Sequence, residues 1–488
     1  MRIEKRLQAL IAVAAAFCFV PLLFFVQDIW DGKAIGYALN DHVTSPLWQM
    51  FIPTRWTLQY YACLAIGSIQ DTLGISYKII TNVISCLSLA GICAETARIL
   101  KDELGLEREY RLLAVLTILV LPPWATLMSS ILFYHISCIW AFLLAMRWRR
   151  SAPVPAALLF VFSLTLNSIF AFAVGYAVFL GLMAVDKTNW RRTGTRVFLF
   201  SAALLTVFVL YRHFFPPYGV MAGYNSFNLR VTALFNYAGL FAAFLGGAWL
   251  LLKDAAPEVR REELRKVAAC CVLLFFAGFA YTYVGKPIKL EGTNSFTPRQ
   301  AFLTAIPVGM LMAVLVRLGV RRLGRRFAYG LAGILLLLSF GYQYAAFQQK
   351  FTQLYFENAL TAVFRRTEPP HTGVVTFIAD RDQMPKYLRD FPAVSDYILY
   401  EAYGDMRWMT RVREQVNDPV GDEERQSWLN ELVSWRGLPR NELYSTQIRL
   451  DLNGFDPFGS PMSYYYYLTD AYDRLGFKVK YESVEKID

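Results

Sequence analysis

Long apolar runs separated by short polar stretches recur along the first two thirds of the chain. They lie at 7–26, 75–97, 112–130, 131–146, 154–166, 168–185, 197–214, 231–252, 267–284, 300–316 and 327–346. Most approach the length of helix that crosses about 30 Å of hydrocarbon. The pattern predicts a polytopic α-helical membrane protein with about eleven spans. The pair 154–166 and 168–185 is the weakest, because one re-entrant unit would explain it equally well.

The Lys and Arg residues of the connecting loops predict the orientation. The N-terminal flank and the loops 98–111, 147–150, 187–196, 253–266 and 317–326 hold 24 of them, whereas the alternate loops 27–74, 215–230 and 285–299 hold six. Because cytoplasmic loops carry the basic excess, the N-terminus is predicted to be cytoplasmic. An odd number of spans then leaves the first loop and the C-terminus on the outer side. We expect a multi-pass membrane protein with an extracytoplasmic C-terminal domain.

The last part of the chain has the pattern of a small soluble α/β domain. We place the domain boundary between a transmembrane domain, 1–346, and this domain, 347–488. The segment VVTFIAD at 374–380 predicts a buried strand. Residues 420–436 and 463–476 predict helices, and the following FKVKYES predicts another strand.

Composition and charge agree with a membrane protein and exclude one other class. The chain is 56% hydrophobic and only 18% charged, less charged than a typical soluble protein. Its net charge of +11 divides into +16 up to residue 346, from 32 basic and 16 acidic residues, and −5 beyond it, from 17 and 22. Because the basic excess lies in loops between predicted spans, orientation explains it. We therefore expect contact with membrane lipids and no binding to nucleic acid.

An acidic stretch, QDIWDGKAIGYALND at 27–41, follows the first apolar run. The simplest interpretation is that its aspartates mark the helix exit and face water, since a charge at a membrane exit is costly unless hydrated or paired. Asp28 and Asp31 are three residues apart, however, so on one helical turn they would share a face. Asp41 and His42 would add further polar groups in the same loop.

These features together resemble the GT-C class of integral membrane glycosyltransferases. The resemblance rests on the cytoplasmic N-terminus, the acidic QDIWDG directly after the first helix, the long first outer loop 27–74, about eleven spans and the extracytoplasmic C-terminal domain. It covers the architecture of the whole chain, whereas the acidic motif is short and lacks the adjacent Asp-Glu pair. The resemblance implies transfer of a sugar from a polyprenyl-phosphate donor to a glycan or lipid acceptor of the cell envelope. It also implies a bacterial cytoplasmic membrane, with the C-terminal domain in the periplasm.

Sugar transfer of this kind needs a base, which a carboxylate within hydrogen-bond reach of the acceptor hydroxyl supplies. Direct displacement with one base predicts inversion at the sugar carbon. Asp31 and Asp28 are the candidates, and Asp31 is favoured because the glycine after it lets the chain turn. Asp41 and His42 are candidates for binding the acceptor or a metal. A divalent cation, Mg²⁺ or Mn²⁺, would suit these oxygen ligands, but the sequence requires none.

The leaving polyprenyl phosphate needs cations on the outer side. Lys286, Lys289 and Arg299 share the late loop KPIKLEGTNSFTPR, and Arg55 lies in the first loop. The resemblance implies that such basic residues of late outer loops hold the donor phosphate. The simpler interpretation is contact with phospholipid headgroups.

Three other functions remain open from the sequence. A flippase or transporter of lipid-linked glycans would place charges at the bilayer midplane, and the predicted spans have few there. A polysaccharide polymerase or ligase would share the donor lipid and the outer face. A membrane scaffold would use the C-terminal domain to bind partners.

Overall fold

The computed structural model describes residues 2–24, 28–29, 31–185, 188–218, 228–229, 231–283, 301–379, 393–413, 426, 429–435, 438–451, 469, 472 and 478–487. These residues form two compact units. The helical unit comprises Met1–Asp28 and Ile35–Ala346, and the C-terminal unit comprises Ile29–Ala34 and Phe347–Asp488.

Helices dominate the described part of the chain. They are α1 (Arg2–Phe24), α2 (Asp31–Asn40), α3 (Ser45–Phe51), α4 (Thr57–Leu73), α5 (Tyr77–Asp102), α6 (Arg108–Leu119), α7 (Phe133–Trp148), α8 (Pro153–Leu164), α9 (Ser168–Ala184), α10 (Trp190–Phe214), α11 (Val231–Leu251), α12 (Pro257–Thr282), α13 (Phe302–Leu323), α14 (Arg325–Phe364) and α15 (Ala393–Tyr403). Two 3₁₀ segments, Pro122–Met128 and Ser130–Leu132, precede α7.

Seven described helices are long and apolar enough to cross a membrane: α1, α5, α7 with its preceding 3₁₀ turn, α10, α12, α13 and α14. The bent pair of α6 and the first 3₁₀ segment would make eight. The helices α8 and α9 and the stretch Tyr237–Leu251 of α11 are apolar but shorter. Eleven spans would require the bent pair and all three shorter helices to cross, so that count stays a prediction. The apolar helices support a membrane protein.

The predicted run 112–130 is a broken helix rather than a straight one. The chain bends by 51° between α6 and the 3₁₀ segment, where two prolines supply no backbone N–H. Gln343 of α14 donates to the carbonyls of Leu119 (2.6 Å) and Leu121 (3.3 Å), and Ser339 donates to the carbonyl between them (2.9 Å). Side chains of a neighbouring helix therefore satisfy the backbone groups that the break frees, as an apolar environment requires.

The first loop is largely helical. It contains α2, α3 and α4, and α4 runs to Leu73 before Gly74 adopts a left-handed backbone (φ 65°). Such a conformation at the helix C-terminus favours glycine, because other residues carry a Cβ penalty there.

Loops predicted to be cytoplasmic contact one another through ion pairs. Glu103 pairs with Arg149 (3.4 Å), Asp254 with Arg322 (2.5 Å) and Glu109 with Arg325. Glu95 of α5 pairs with Arg147 (3.2 Å) and with Arg98 of its own helix (2.6 Å). These ion pairs therefore join four of the six basic segments, 98–111, 147–150, 253–266 and 317–326. This grouping is what the alternating charge pattern requires, while the side of the membrane stays a prediction.

Within the described residues of the C-terminal unit, four strands form one sheet. Its strands are β1 (Gly373–Ile378), β2 (Trp408–Arg413), β3 (Tyr444–Asp451) and β4 (Lys478–Lys486), in the order β2-β1-β3-β4. The strand β1 is parallel to both neighbours, and β4 is antiparallel to β3. As expected for a central strand, every residue of β1 is buried. The sheet places the predicted strands at 374–380 and in FKVKYES in one α/β unit.

The last turns of α14 belong to this second unit. The Phe364 ring stacks on Phe377 of β1, with ring centroids 5.5 Å apart. Leu432, in a π-helical turn at Asn430–Trp435, packs in the core with Val374 and Met409. Most of the helix predicted at 420–436 and of the helix predicted at 463–476 lies outside the described residues.

Candidate functional site

Asp28 lies between the end of α1 and the start of α2 and is buried, with 5% of its surface exposed. Its Oδ2 atom accepts a hydrogen bond from the hydroxyl of Tyr77 (3.2 Å). Its Oδ1 atom accepts one from the backbone N–H of Ser130 (2.9 Å) and lies 3.5 Å from Nζ of Lys78. A solvated helix exit does not describe this carboxylate, so the simplest interpretation of Asp28 from the sequence was wrong.

Lys78 reaches Asp28 from the first turn of α5. Ser76 caps the N-terminus of that helix, and its hydroxyl oxygen accepts from the backbone N–H of Lys78 (3.3 Å). The Lys78 side chain is fully buried and also donates to the carbonyl of Met128, in the first 3₁₀ segment. The start of α5 and the two 3₁₀ segments thus surround one buried carboxylate within the helical unit.

Close packing at this place depends on a glycine. A Cβ added to Gly36 of α2 would lie 2.4 Å from the hydroxyl oxygen of Tyr77, the group that donates to Asp28. A side chain at residue 36 would therefore displace one of the three donors to the carboxylate. The second glycine of GKAIG is therefore required by the space that the Tyr77 side chain occupies, which the sequence alone does not reveal.

The pairing of Asp28 determines what this carboxylate can do. A buried charge is tolerated when an opposite charge and hydrogen-bond donors replace water. Asp28 has the Lys78 ammonium as the opposite charge, and the Tyr77 hydroxyl and the Ser130 N–H as donors. Its side-chain exposure of 2% also leaves little access for an acceptor sugar. The geometry suits a carboxylate that holds its chain segment better than one that takes a proton from a substrate.

Asp31 is the first residue of α2. It follows the buried Asp28 by three residues and precedes Lys33 by two. The expected common face of Asp28 and Asp31 does not follow, since the helix begins only at Asp31.

Lys33 forms a second buried ion cluster, within the C-terminal unit. Its ammonium lies 2.7 Å from Oε2 of Glu357 and 3.1 Å from Oε1 of Glu401. The side chains of Lys33 and Glu357 are 4% and 0% exposed, and Glu401 is 31% exposed. Burial by itself lowers the pKa of Lys33, but the two carboxylates outweigh it and hold that pKa above its usual value. Lys33 is therefore charged throughout the physiological range.

The remaining predicted residues are dispersed. Arg55 has a positive φ of 68°, donates from Nε to the carbonyl of Pro216 (3.0 Å) and lies over the ring of Tyr218, 4.7 Å from its centroid. His42 lies 3.8 Å from Asp71, and both side chains are largely exposed.

Asp41 is exposed at the end of α2. Nothing described joins Asp41 or His42 to Asp28 in one site. Lys286, Lys289 and Arg299 lie outside the described residues.

The described residues contain no group of three or more His, Cys, Asp or Glu side chains that could hold a metal ion. The seven cysteines are free thiols. The oxygen ligands considered for Mg²⁺ or Mn²⁺ around Asp41 and His42 are therefore not assembled among these residues.

Several residues of both clusters were not identified from the sequence. Lys78 carried a signal, since a lysine a few residues inside an apolar run is costly unless it is partnered. Ser130 acts through its backbone N–H, which no side-chain motif reports. Glu357 and Glu401 lie more than 300 residues from Lys33, and no local pattern brings them to it.

No family model, no curated protein and no solved structure matches this chain. The geometry and the charge pattern therefore carry the functional argument.

Proposed function

We propose that this chain is an inverting glycosyltransferase of the GT-C type. It would move a sugar from a polyprenyl-phosphate donor to a glycan or lipid acceptor of the cell envelope, on the outer face of the cytoplasmic membrane. The observation that carries the proposal is the buried Asp28–Lys78 pair, because it fixes the chain directly before Asp31 at the exit of the first helix. A mere connector would not need a sealed ion pair at this position.

In this proposal Asp31 is the general base and Asp28 positions it. The acceptor hydroxyl, with a pKa far above neutral, gives its proton to the Asp31 carboxylate as its oxygen attacks the anomeric carbon. The bond from that carbon to the phosphate oxygen breaks, and the polyprenyl phosphate leaves with the electron pair. The phosphate is already a good leaving group, so one carboxylate suffices.

The donor phosphate would be held by Lys286, Lys289 and Arg299, with Arg55 as a further cation. Arg55 spends one of its five N–H donors on the Pro216 carbonyl, so its guanidinium keeps a face for an anion. Charge-assisted hydrogen bonds to phosphate stabilise the charge that develops on the leaving group.

Glycan analysis of the envelope from cells with and without the gene tests the activity and identifies the sugar and its acceptor. Complementation with Asp31→Asn is expected to leave the sugar absent at normal protein levels, a loss of roughly 100-fold or more in transfer rate. Asp71→Asn, in the same loop and exposed, is the matched control and should transfer at the wild-type rate. Full transfer by Asp31→Asn would reject Asp31 as the base.

A transporter of lipid-linked glycan is the alternative function, and the polar side chains inside the helical unit do not favour it over the transferase. The buried face of α5 carries an uncharged polar stripe that includes Asn82, Ser85 and Ser88. These side chains bond to the Leu22 carbonyl (2.5 Å), the Thr81 carbonyl (2.8 Å) and the Ser137 hydroxyl (3.1 Å), as in ordinary helix packing. Loss of a transporter would accumulate the lipid-linked sugar on the cytoplasmic side, whereas loss of the transferase would accumulate it on the outer side.

A further inference from the structure

Contacts with buried groups hold the chain on both sides of Asp31. Before it, Asp28 is fixed within the helical unit by Tyr77, Lys78 and the Ser130 N–H. After it, Lys33 is fixed within the C-terminal unit, to which Ile29–Ala34 belongs. The first turn of α2, which contains Asp31, therefore has an anchor at each end.

The Lys33 anchor is a built cluster. Gln353 of α14 donates to Oε1 of Glu357 (3.0 Å), the carboxylate that pairs with Lys33 through its other oxygen. Thr361, also in α14, lies 3.5 Å from Oε2 of Glu401. Neutral donors thus hold both carboxylates in place around one ammonium. The flexible four-carbon side chain of Lys33 is held in one position when its ammonium is bound in this way.

We propose that Lys33 is a positioning residue for the catalytic carboxylate of Asp31, and that Glu357 and Glu401 of the same unit hold its ammonium in place. This inference rests on the proposed function. It gives Glu357 and Glu401 a role in turnover.

The physical reason is the precision that proton transfer needs. Lys33 is two residues beyond Asp31 on the same helical turn, so movement of its ammonium shifts the backbone that carries the base. A displacement of about 1 Å at a reacting group can cost roughly 100-fold in rate. A buried ion pair is not the most stabilising way to fill such a space, since apolar residues of the same volume often do so at least as well. A buried ion pair does, however, fix the position of the side chain more narrowly than an apolar contact can.

Lys33→Met tests the inference, because it keeps most of the side-chain length and removes the charge. Sugar transfer is followed on the acceptor found by the glycan analysis, and hydrogen exchange is followed at the amides of residues 32–35. We expect kcat to fall roughly 100-fold, KM for the donor to change by less than about threefold, and exchange at these amides to rise. Lys33→Arg keeps the charge and should recover most of the lost kcat.

Two further variants separate positioning from folding. Lys33→Met combined with Glu357→Gln removes both charges of the buried Lys33–Glu357 pair. The carboxylate that then lacks its ammonium is Glu401, which is 31% exposed to water, so the double variant should fold yet keep the low kcat. Lys480→Met is the matched control in the same unit, since Lys480 is 74% exposed and pairs with Glu482 at the surface. It should leave both kcat and exchange unchanged.

The inference and the proposed function fail in different ways. Wild-type kcat and unchanged exchange in both Lys33 variants would overturn the positioning role, while loss of transfer in Asp31→Asn would still support the transferase. No transfer by the wild-type chain would overturn the transferase, and with it the role of Lys33. A fall in kcat that only matched the loss of folded protein in the double variant would also overturn positioning.

Discussion

Asp28 and Glu263 are both buried carboxylates of the helical unit, but they are paired in opposite ways. Among the described cations, Lys78 pairs with Asp28 at 3.5 Å, and the side chains of Lys78 and Asp28 are 0% and 2% exposed. Glu263 in α12 is surrounded by three, Lys266 (3.3 Å), Arg317 and Arg321 (3.6 Å), of which Arg321 is about half exposed. One site is a sealed pair, whereas the other is a network that extends to the surface.

The two sites differ in whether a charged side chain has a second partner. Lys266 also lies 2.7 Å from Glu262, which is 56% exposed, so the network keeps a second carboxylate and access to water. Its residues come from the basic loops 253–266 and 317–326, whose charge orientation already explains. The Asp28–Lys78 pair has no such reason to exist, since a sealed pair carries a desolvation cost that apolar residues would avoid. We therefore assign a positioning role to the Asp28–Lys78 pair and only a packing role to the network around Glu263.

Lys78→Met should have the largest effect on stability. It leaves the Asp28 carboxylate buried without its cation, which typically costs about 3–5 kcal/mol. We expect a large fall in the midpoint of thermal unfolding in detergent, together with loss of sugar transfer. An unfolding midpoint equal to that of the wild type would show that water reaches Asp28, and the comparison with Glu263 would fail.

The double variant Asp28→Asn with Lys78→Met sharpens this result. Removing both charges leaves no unpaired ion, so much of the lost stability should return. Transfer should stay low, because the chain before Asp31 has lost an anchor that fixed its position. Recovery of transfer along with stability would reduce the pair to a packing role.

Glu263→Gln should have a smaller effect. Lys266 keeps Glu262, Arg321 keeps water, and the amide oxygen that replaces the carboxylate can still accept a hydrogen bond from Arg317. We expect a cost of about 1–3 kcal/mol, typical of a buried polar group left partly unsatisfied, and an unchanged rate of sugar transfer per folded molecule. A specific loss of transfer would give the basic loops a functional role and overturn the assignment made above.

Much of the helical unit could be predicted, because a membrane span is a run of consecutive apolar residues of known length. The prediction was less accurate where tertiary contacts decide. The helix α14 was expected to end with its apolar run at residue 346, but it continues through Lys350 and Glu357 to Phe364. Hydropathy marks the end of an apolar surface, whereas polar side chains such as Gln353 prolong the helix through contacts in the second unit.

The candidate site was predictable in one part and hidden in the other. The position of Asp28 and Asp31 after the first helix pointed to the right segment, because charge near a membrane is costly and so informative. The partners came from elsewhere: Tyr77 and Lys78 from the start of α5, and a backbone N–H from a 3₁₀ turn. Pairings of this kind depend on where helices end in space, which neither spacing nor periodicity specifies.

Asp254→Asn should have the smallest effect and sets the scale for the others. Asp254 lies 2.5 Å from Arg322 in the basic loops, and the two side chains are 60% and 39% exposed. Water and salt screen such a pair, so its removal should cost between about 0 and 1 kcal/mol.

Thermal unfolding of Asp254→Asn in detergent at low and high salt provides the measurement. The midpoint should stay close to the wild-type value, and any difference should vanish at high salt, because screening weakens exposed pairs first. A loss as large as that of Glu263→Gln would mean that exposure does not set the strength of these pairs. Asp28–Lys78 would then owe its importance to something other than being sealed.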